Sequence, residues 1–277
     1  PVKAFVGHVV WLRDRCDAVL IQRLVSIRNE GRRRFGCPKA ICLPDLMRDV
    51  VPGPPRILEL LVDDRCRSDS RTALLRFGRL INPDHRGPQA LEAGLRQQAR
   101  IDQMLRAGMP LAQIWKLNIG TREVRGEDTS KVQSSGGRTR IGVVGHPYLL
   151  FDRYLSQGLV SRLESLDVAV RFTTGLPERA AFPEPSRSRE ICWFYEHELL
   201  GGAWYLLSQR LVDGLLLVSS FACGTAAVVN EIISRELTQF QIPIMTILLD
   251  EHTAEAGLLT RLEAFVELVR HNSSHKP

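Results

Sequence analysis

Short apolar runs alternate with amphipathic segments over the second half of the chain. Four short, mainly apolar runs predict buried strands at 141–145, 168–172, 212–218 and 242–249. Apolar residues at helical spacing predict helices at 152–166, 199–209, 226–237 and 253–270. Strands that alternate with helices of this length are typical of a parallel sheet covered by helices on both faces.

The first half is less regular. Residues 17–22 and 57–62 are strand-like, 44–50 predicts a short helix, and 71–117 is largely helical with breaks at prolines and glycines. A polar stretch rich in glycine and serine follows at 126–140 and is typical of a linker. We therefore predict a partial N-terminal α/β domain with a helical segment (1–125), a linker (126–140) and a C-terminal Rossmann-like α/β domain (141–277).

Composition narrows the class of protein. Hydrophobic residues at 44% and charged residues at 25% are the balance of a folded protein rather than a disordered one. No run approaches the roughly 18 apolar residues of a membrane helix, and the first 15 residues show no signal peptide. We therefore expect a cytoplasmic protein that does not bind a membrane.

Arginine supplies most of the net charge of +6. The arginines are scattered, with one dense group at 32–34, and they form no basic stripe interleaved with aromatic residues. We therefore expect a solvated arginine-rich surface and no nucleic-acid partner.

The spacing of the six cysteines along the sequence excludes two common kinds of cysteine site. No two of them stand in a CxxC pattern, which excludes zinc-ribbon and thioredoxin-like sites. They are either buried structural thiols or ligands that the fold brings together, and they lie at Cys16, Cys37, Cys42, Cys66, Cys192 and Cys223.

Polar sequence follows three of the predicted strands, at 145–147, 219–224 and 250–253. Because the functional crevice of a parallel sheet lies beyond the carboxyl ends of its strands, we expect these segments to meet at one edge. Cys223, at a strand-to-helix turn before Gly224, is placed where backbone N–H groups favour a thiolate that ligates metal or acts as a nucleophile. The alternative is a small buried side chain at a tight turn.

Two other features are candidates for chemistry. His146 follows the first of these strands, and Glu251 with His252 offers an acid–histidine pair at a helix start, suited to acid–base work. The alternative for the pair is a cap that offsets the helix dipole. Cys37 precedes Pro38, a step in which proline orients the thiolate in some iron–sulfur ligand runs. No P-loop or GxGxxG motif occurs, so we do not expect ATP hydrolysis.

Together these motifs resemble the acyl-CoA dehydratase activase-related family, relatives of the cluster-bearing subunits of 2-hydroxyacyl-CoA dehydratases. The similarity extends over nearly the whole chain in the order of the family. It is carried by the stretches 2–9 (VKAFVGHV), 17–27 (DAVLIQRLVSI), 37–48 (CPKAICLPDLMR), 141–148 (IGVVGHPY), 201–203 (GGA), 212–224 (VDGLLLVSSFACG) and 250–265 (DEHTAEAGLLTRLEAF).

The resemblance implies two Rossmann-like halves with doubly wound parallel sheets, the first of them incomplete, and an iron–sulfur cluster (4Fe–4S or larger) at their interface. Cys37 and Cys223 match cluster ligands, and Pro38, Ser220 and Gly224 fall beside them as cofactor-binding residues. The other four cysteines match no position of the family and are interpreted as structural.

The chain departs from the family at two places. Members of the family usually carry a further cysteine just before the Pro-Val-Lys segment that opens this sequence, so the resemblance implies a cluster ligand and a β-α-β portion upstream. The family also continues Cys-Gly with Pro-Asp, whereas Thr225 and Ala226 stand here.

The function implied is that of an iron–sulfur protein that accepts low-potential electrons from an ATP-dependent activase and passes them to an acyl-CoA-like substrate. Glu251, His252 and His146 would line its site as proton donors. Two alternatives remain open: a non-catalytic scaffold or regulatory partner of an activase, and a metal-free acid–histidine lyase or hydrolase.

Overall fold

A computed structural model describes residues 1–29, 32–66, 69–83, 86–106, 109, 114, 138–174, 176 and 191–274. The chain divides into two compact units, one formed by Pro1–Gln97 with Arg189–Tyr195 and the other by Gln98–Ser188 with Glu196–Pro277. The predicted domain boundary at residue 125 and most of the predicted linker lie outside the described residues. None of the described helices combines the length and apolar character that crossing a membrane requires.

The first unit is built on a three-stranded mixed sheet of order β2-β1-β3. Strand β1 pairs antiparallel with β2 and parallel with β3. Its elements are α1 (Val2–Leu12), β1 (Ala18–Asn29), β2 (Arg32–Phe35), α2 (Pro38–Ile41), α3 (Leu43–Val50), β3 (Arg56–Asp63), a 3₁₀ turn (Asp64–Cys66), α4 (Ser70–Ile81) and the first part of α5 (Gly87–Arg106). Val9, Ile21, Met47 and Val51 form a core between α1, α3 and the sheet.

The two strands and the short helix predicted for this half are confirmed, whereas the sequence pattern does not predict β2. Three of its four residues are arginines, so it carries no apolar signal. Arg34 is only 7% exposed and its guanidinium donates to the backbone carbonyl of Ile191. The expectation that residues 32–34 form a solvated surface is therefore wrong for Arg34, whereas Arg32 and Arg33 are exposed.

Asp63, the last residue of β3, is a buried carboxylate with good partners. The guanidinium of Arg65 donates to it at 2.8 Å and the Ser26 hydroxyl at 2.7 Å. These bonds, that of Arg65 foremost, hold the pKa of Asp63 well below its usual range. Because the pKa is lower in the folded than in the unfolded state, this carboxylate stabilises the fold above about pH 4, and the contribution is lost as the pH falls through the folded-state pKa.

We expect Asp63→Asn to lower the free energy of unfolding by about 1–2 kcal/mol at pH 7, since hydrogen bonds to a charged group are lost. The deficit should shrink as the pH falls from about 4 to about 2, because protons then compete for the wild-type carboxylate. Urea denaturation at several pH values measures it, with Asp49→Asn, at an exposed position of α3, as the control. A deficit that is the same at every pH would contradict this explanation.

The second unit contains a four-stranded sheet of order β5-β4-β6-β7 in which all neighbouring strands are parallel. After the second part of α5, its elements are β4 (Thr139–Val144), α6 (Pro147–Leu150), α7 (Leu159–Ser165), β5 (Val168–Phe172), α8 (Phe194–Ser208), β6 (Gly214–Ser220), α9 (Gly224–Glu236), a 3₁₀ turn (Leu237–Phe240), β7 (Ile244–Leu249) and α10 (Glu255–Ser274). The first two residues of α8 belong to the first unit.

Helices cover both faces of this sheet. Strand residues such as Ile141 and Leu216 share one buried core with residues of α6, α7 and α10. On the other face, Gly142 lies against Leu206 of α8, and Val229 of α9 is fully buried. The predicted α/β class and the doubly wound, Rossmann-like sheet of the second half are therefore confirmed.

One predicted helix is wrong over its first half. Residues 153–158 form turns instead, and the helix begins only at Leu159. Asp152 accepts hydrogen bonds from the backbone N–H groups of Tyr154 and Leu155, and Gln157 and Gly158 both have positive φ. The local bonds of the aspartate compete with helical ones, and left-handed residues end a helical run.

The glycines at 201 and 202, which interrupt a helical pattern, predict close packing, and the surroundings of Gly202 confirm the close packing. A Cβ atom at Gly202 would lie 2.6 Å from the Cβ of Thr173, just beyond β5. Helix α8 therefore approaches the sheet more closely than any larger residue would allow.

Candidate functional site

The strand order places a crevice between β4 and β6. The chain leaves β4 towards β5 on one side and returns to β6 on the other, so the connections diverge at the carboxyl ends of these two neighbours. In open α/β sheets this switch point is where ligands bind. His146 follows β4 and Cys223 follows β6, and β7 ends beside β6, so the expected meeting of the three polar strand ends at one edge is confirmed.

Gly145, the residue before His146, lets the end of β4 lie close to β6. A Cβ atom at Gly145 would lie 2.6 Å from the carbonyl oxygen of Val218 on β6, so only glycine fits without displacing the strands. His146 then precedes the short helix α6, and its ring stacks on that of Tyr148 with 5.6 Å between centroids. The side chain is 12% exposed, which leaves the imidazole at the floor of the crevice rather than in solvent.

Cys223 is presented by a tight turn between β6 and α9. The N–H of Phe221 donates to the carbonyl of Leu249, and Ala222 then adopts a left-handed conformation with φ of 63°. For a residue with a Cβ atom this costs about 1–2 kcal/mol. Cys223 precedes the first turn of α9, and its half-buried sulfur accepts a hydrogen bond from the N–H of Ala226. The turn thus aims the thiol into the crevice at a helix N-terminus.

Glu196 is the third member of the site. It lies in the first turn of α8 and is 2% exposed. Its Oε1 atom is 3.4 Å from Nε2 of His146 and accepts a hydrogen bond from the hydroxyl of Thr225. Its Oε2 atom is buried and has no hydrogen-bond partner among the described residues.

The ligand atoms of His146, Glu196 and Cys223 all lie within 4.8 Å of one another. We call these three residues the switch-point triad. Among the residues that the structure describes, they are the one group of three or more histidine, cysteine or acidic side chains close enough to hold a metal ion.

Each side chain of the triad favours the charged form of its neighbours. Burial alone would lower the pKa of His146, but its hydrogen bonds to Cys223 and Glu196 outweigh burial and raise the pKa to about 9. Burial acts in the opposite direction on Cys223, yet the bonds from His146 and from the N–H of Ala226 lower the pKa of the thiol. The pKa of Glu196 is likewise lowered, against burial, by His146 and Thr225. The arrangement favours an imidazolium between two anions.

Sequence reasoning missed Glu196 and its neighbour Glu198. Burial raises the pKa of Glu198 to about 7. Both acids stand in a helix whose other residues are mostly apolar and buried. Charged residues inside such an apolar run are the signal that could have indicated a site.

Glu251 and His252 are exposed in the turn that follows β7, and neither belongs to the switch-point triad. The carboxylate of Asp250 organises this turn by accepting hydrogen bonds from the N–H of His252 and the hydroxyl of Thr253. These bonds form a turn that ends before α10, which begins only at Glu255, so Glu251 and His252 lie outside the first turn of that helix. Their catalytic roles stay predictions.

Ser220 and Gly224 flank the turn that carries Cys223. Ser220 is the last residue of β6, and its hydroxyl donates to the carbonyl of Phe221. Gly224 opens α9, and apart from its chain neighbours and the backbone of α9 no atom of the described residues lies within 4 Å of where a Cβ would stand. The space beside Gly224 is compatible with a bound group, and both cofactor-binding roles stay predictions.

Cys37 and Pro38 lie in the first unit. Cys37 is half-buried at the start of the four-residue helix α2, and Pro38 takes the first helical position, where its missing N–H is of no consequence. Because Cys37 and Cys223 belong to different units, their joint ligation of a cluster stays a prediction.

Of the cysteines interpreted as structural, Cys16 is half-buried and its thiol donates to the carbonyl of Leu12. Cys42 and Cys192 are exposed, so burial is wrong for these two. The side chain of Cys66 lies outside what the structure describes.

Comparison with protein-family models assigns the chain to a family. The model of the CoA enzyme activase uncharacterised domain (DUF2229) matches residues 1–174. The chain belongs to this family. The match to DUF2229 confirms the resemblance to activase-related proteins and includes Cys37 and His146, whereas Glu196 and Cys223 lie beyond the matched residues. A comparison with the curated proteins finds no match.

Proposed function

We propose that this DUF2229 protein is an iron–sulfur protein that accepts low-potential electrons from an ATP-dependent activase and passes them to an acyl-CoA-like substrate. The observation that carries the proposal is the Cys223 thiol at the switch point. It is half-buried, it accepts a backbone N–H bond at a helix N-terminus, and its pKa is lowered. The N–H bond and the lowered pKa favour the thiolate, which is the form that ligates iron.

The donor chemistry fits one ligand position of a cluster. When bound, a 4Fe–4S or larger cluster supplies one-electron transfer, and hydrogen bonds to its ligand sulfurs tune its potential. Cys223 would hold iron with its Sγ atom, and the N–H of Ala226 and the imidazole of His146 would polarise that sulfur. Cys37 is the proposed ligand from the first unit, with Pro38 fixing its backbone.

Two observations support the partner and substrate. The family description names an activase of CoA enzymes, which supports a CoA-linked substrate and a role beside an activase. The sequence contains no P-loop or GxGxxG motif, which is consistent with hydrolysis of ATP by a partner protein.

Anaerobic reconstitution of the complete protein with iron and sulfide tests the proposal. We expect bound iron and sulfide and, after reduction with dithionite, a low-temperature electron paramagnetic resonance signal. Cys223→Ser should lose at least half of the iron and the signal, whereas Cys192→Ser, at an exposed thiol, should keep both. Iron near zero in the wild type, or iron unchanged in Cys223→Ser, would refute the proposal.

A second candidate is metal-free lyase or hydrolase chemistry by an acid–histidine pair. The buried pair of His146 Nε2 and Glu196 Oε1 favours it, because a carboxylate that orients an imidazole is a common acid–base arrangement. Turnover of an acyl-CoA that survives Cys37→Ser and Cys223→Ser but is lost in His146→Ala would select this candidate. Loss in His252→Ala instead would select Glu251 and His252, the pair after β7.

If none of these variants alters the ATPase rate of the activase partner, the scaffold alternative gains support.

A further inference from the structure

The geometry points to His146 and Glu196 as direct ligands, together with Cys223, of one and the same metal ion. The switch-point triad is then a mixed sulfur, nitrogen and oxygen site for a single iron atom, whether that atom is mononuclear or part of a cluster. This inference rests on the proposed function and deepens it, since the proposed function assigns only the thiolates of Cys223 and Cys37 as ligands.

The distances suit a shared ion. Ligands at about 2.0–2.3 Å from a tetrahedral metal ion are separated from one another by about 3.4–3.7 Å. His146 Nε2 and Glu196 Oε1 are 3.4 Å apart, and no ligand atom of the triad is more than 4.8 Å from another. Closing the three atoms on one ion takes side-chain rotations, and His146 must first give up the Nε2 proton that it carries as an imidazolium in the metal-free triad.

Glu196 provides an independent indication. A carboxylate that is 2% exposed, with one oxygen lacking any hydrogen-bond partner among the described residues, carries a desolvation cost that its bonds to Thr225 and His146 offset only in part. A cation bound to this carboxylate would remove the deficit. The unpartnered oxygen, Oε2, belongs to the same carboxyl group as Oε1, the atom that lies 3.4 Å from Nε2 of His146.

Neighbouring residues hold two of the triad side chains in place, as residues around a metal site usually do for its ligands. The hydroxyl of Thr225 holds the carboxylate of Glu196, and the ring of Tyr148 stacks on the imidazole. The three side chains come from three separate elements, the start of α6, the first turn of α8 and the start of α9. Three protein ligands leave one position of a tetrahedral ion open, as in sites that bind a substrate or a bridging atom.

Binding of Co²⁺ to the complete, chelator-treated protein under anaerobic conditions tests the inference, because cobalt reports its ligands by absorption. We expect one equivalent to bind with the near-ultraviolet band of a thiolate–cobalt bond and the strong visible bands of a tetrahedral ion. Cys223→Ser should abolish the first band. His146→Ala and Glu196→Gln should each keep it but raise the Kd at least tenfold and shift the visible bands.

Two controls make the outcome decisive. His271→Ala, at an exposed histidine of α10, should leave the Kd unchanged. Because burial of Glu196 makes its variant prone to misfold, cobalt-edge X-ray absorption of the wild type gives a second readout, with one sulfur at about 2.3 Å and imidazole scattering expected. No bound cobalt, or cobalt ligands and Kd unaltered in both His146→Ala and Glu196→Gln, would overturn the inference.

The two proposals fail separately. If the triad binds cobalt as described but reconstitution yields no iron–sulfur signal, the proposed function is wrong and the mixed-ligand site stands. If a cluster assembles on Cys223 and its spectrum is the same in His146→Ala and Glu196→Gln, with no imidazole scattering in the wild type, the mixed-ligand site is wrong and the proposed function stands.

Discussion

Replacing His146 with alanine is expected to slow the alkylation of Cys223 by iodoacetamide about tenfold at pH 7, because each unit by which a thiol pKa rises above the solution pH removes nine-tenths of the thiolate. In the wild type, hydrogen bonding from His146 is the largest of the influences that lower the pKa of Cys223 against the effect of burial. Without the imidazole, burial dominates and the thiol is held protonated.

The pH profile separates this cause from a change in access. The wild-type rate should reach its plateau at a lower pH than that of an ordinary cysteine, and the His146→Ala profile should be displaced to higher pH with a similar plateau. Mass spectrometry of the Cys223 peptide in chelator-treated protein measures both. The exposed Cys42 in the same digests is the internal control and should react equally in the two proteins. Identical Cys223 profiles would contradict the predicted role of His146.

Gly145→Ala is expected to lower the free energy of unfolding by about 3 kcal/mol, at the upper end of the usual cost of inserting a methyl group into a filled space. The new Cβ would stand 2.6 Å from the carbonyl oxygen of Val218, and that oxygen belongs to a strand at the centre of the sheet, so it cannot yield without breaking pairing.

Gly257→Ala provides the matched comparison. Gly257 lies within α10, and outside that helix no atom in the described part of the chain comes within 4 Å of the place that a Cβ would take, so alanine there should stabilise by up to about 1 kcal/mol through its helix propensity. Urea denaturation of the two variants beside the wild type measures both changes. Equal stabilities for the two variants would show that the close approach of β4 to β6 has no energetic consequence.

The fold of the second unit could be predicted from sequence because its two central strands, β4 and β6, are buried along most of their length. Such strands give continuous apolar runs, and the bounds of β4 and β5 differ from prediction by at most two residues at either end. The predicted β6 begins too early. Val212 is apolar but precedes the strand, while Ser219 belongs to it and is buried as the acceptor of a hydrogen bond from Asn230. A polar residue with a buried partner cannot be told from a loop residue by pattern.

The site was predictable only in part, for a similar reason. His146 and Cys223 follow strands directly, so the topology of a parallel sheet is enough to bring them together. Glu196 comes from a helix that packs across the sheet, and its place depends on how closely α8 approaches at Gly202. That distance is set by tertiary packing. The pattern of the sequence therefore indicated two members of the triad and left the third to the structure.

The left-handed backbone conformation at Ala222 restricts which residue types can directly precede Cys223 in the sequence. Glycine relieves the steric cost of this conformation and asparagine tolerates it, whereas the branched side chains of valine, isoleucine and threonine clash with their own backbone there. Related sequences that keep a cysteine at this turn should accordingly vary among alanine, glycine and asparagine at the residue before it, and a β-branched residue in that place would mark a member whose turn has been rebuilt.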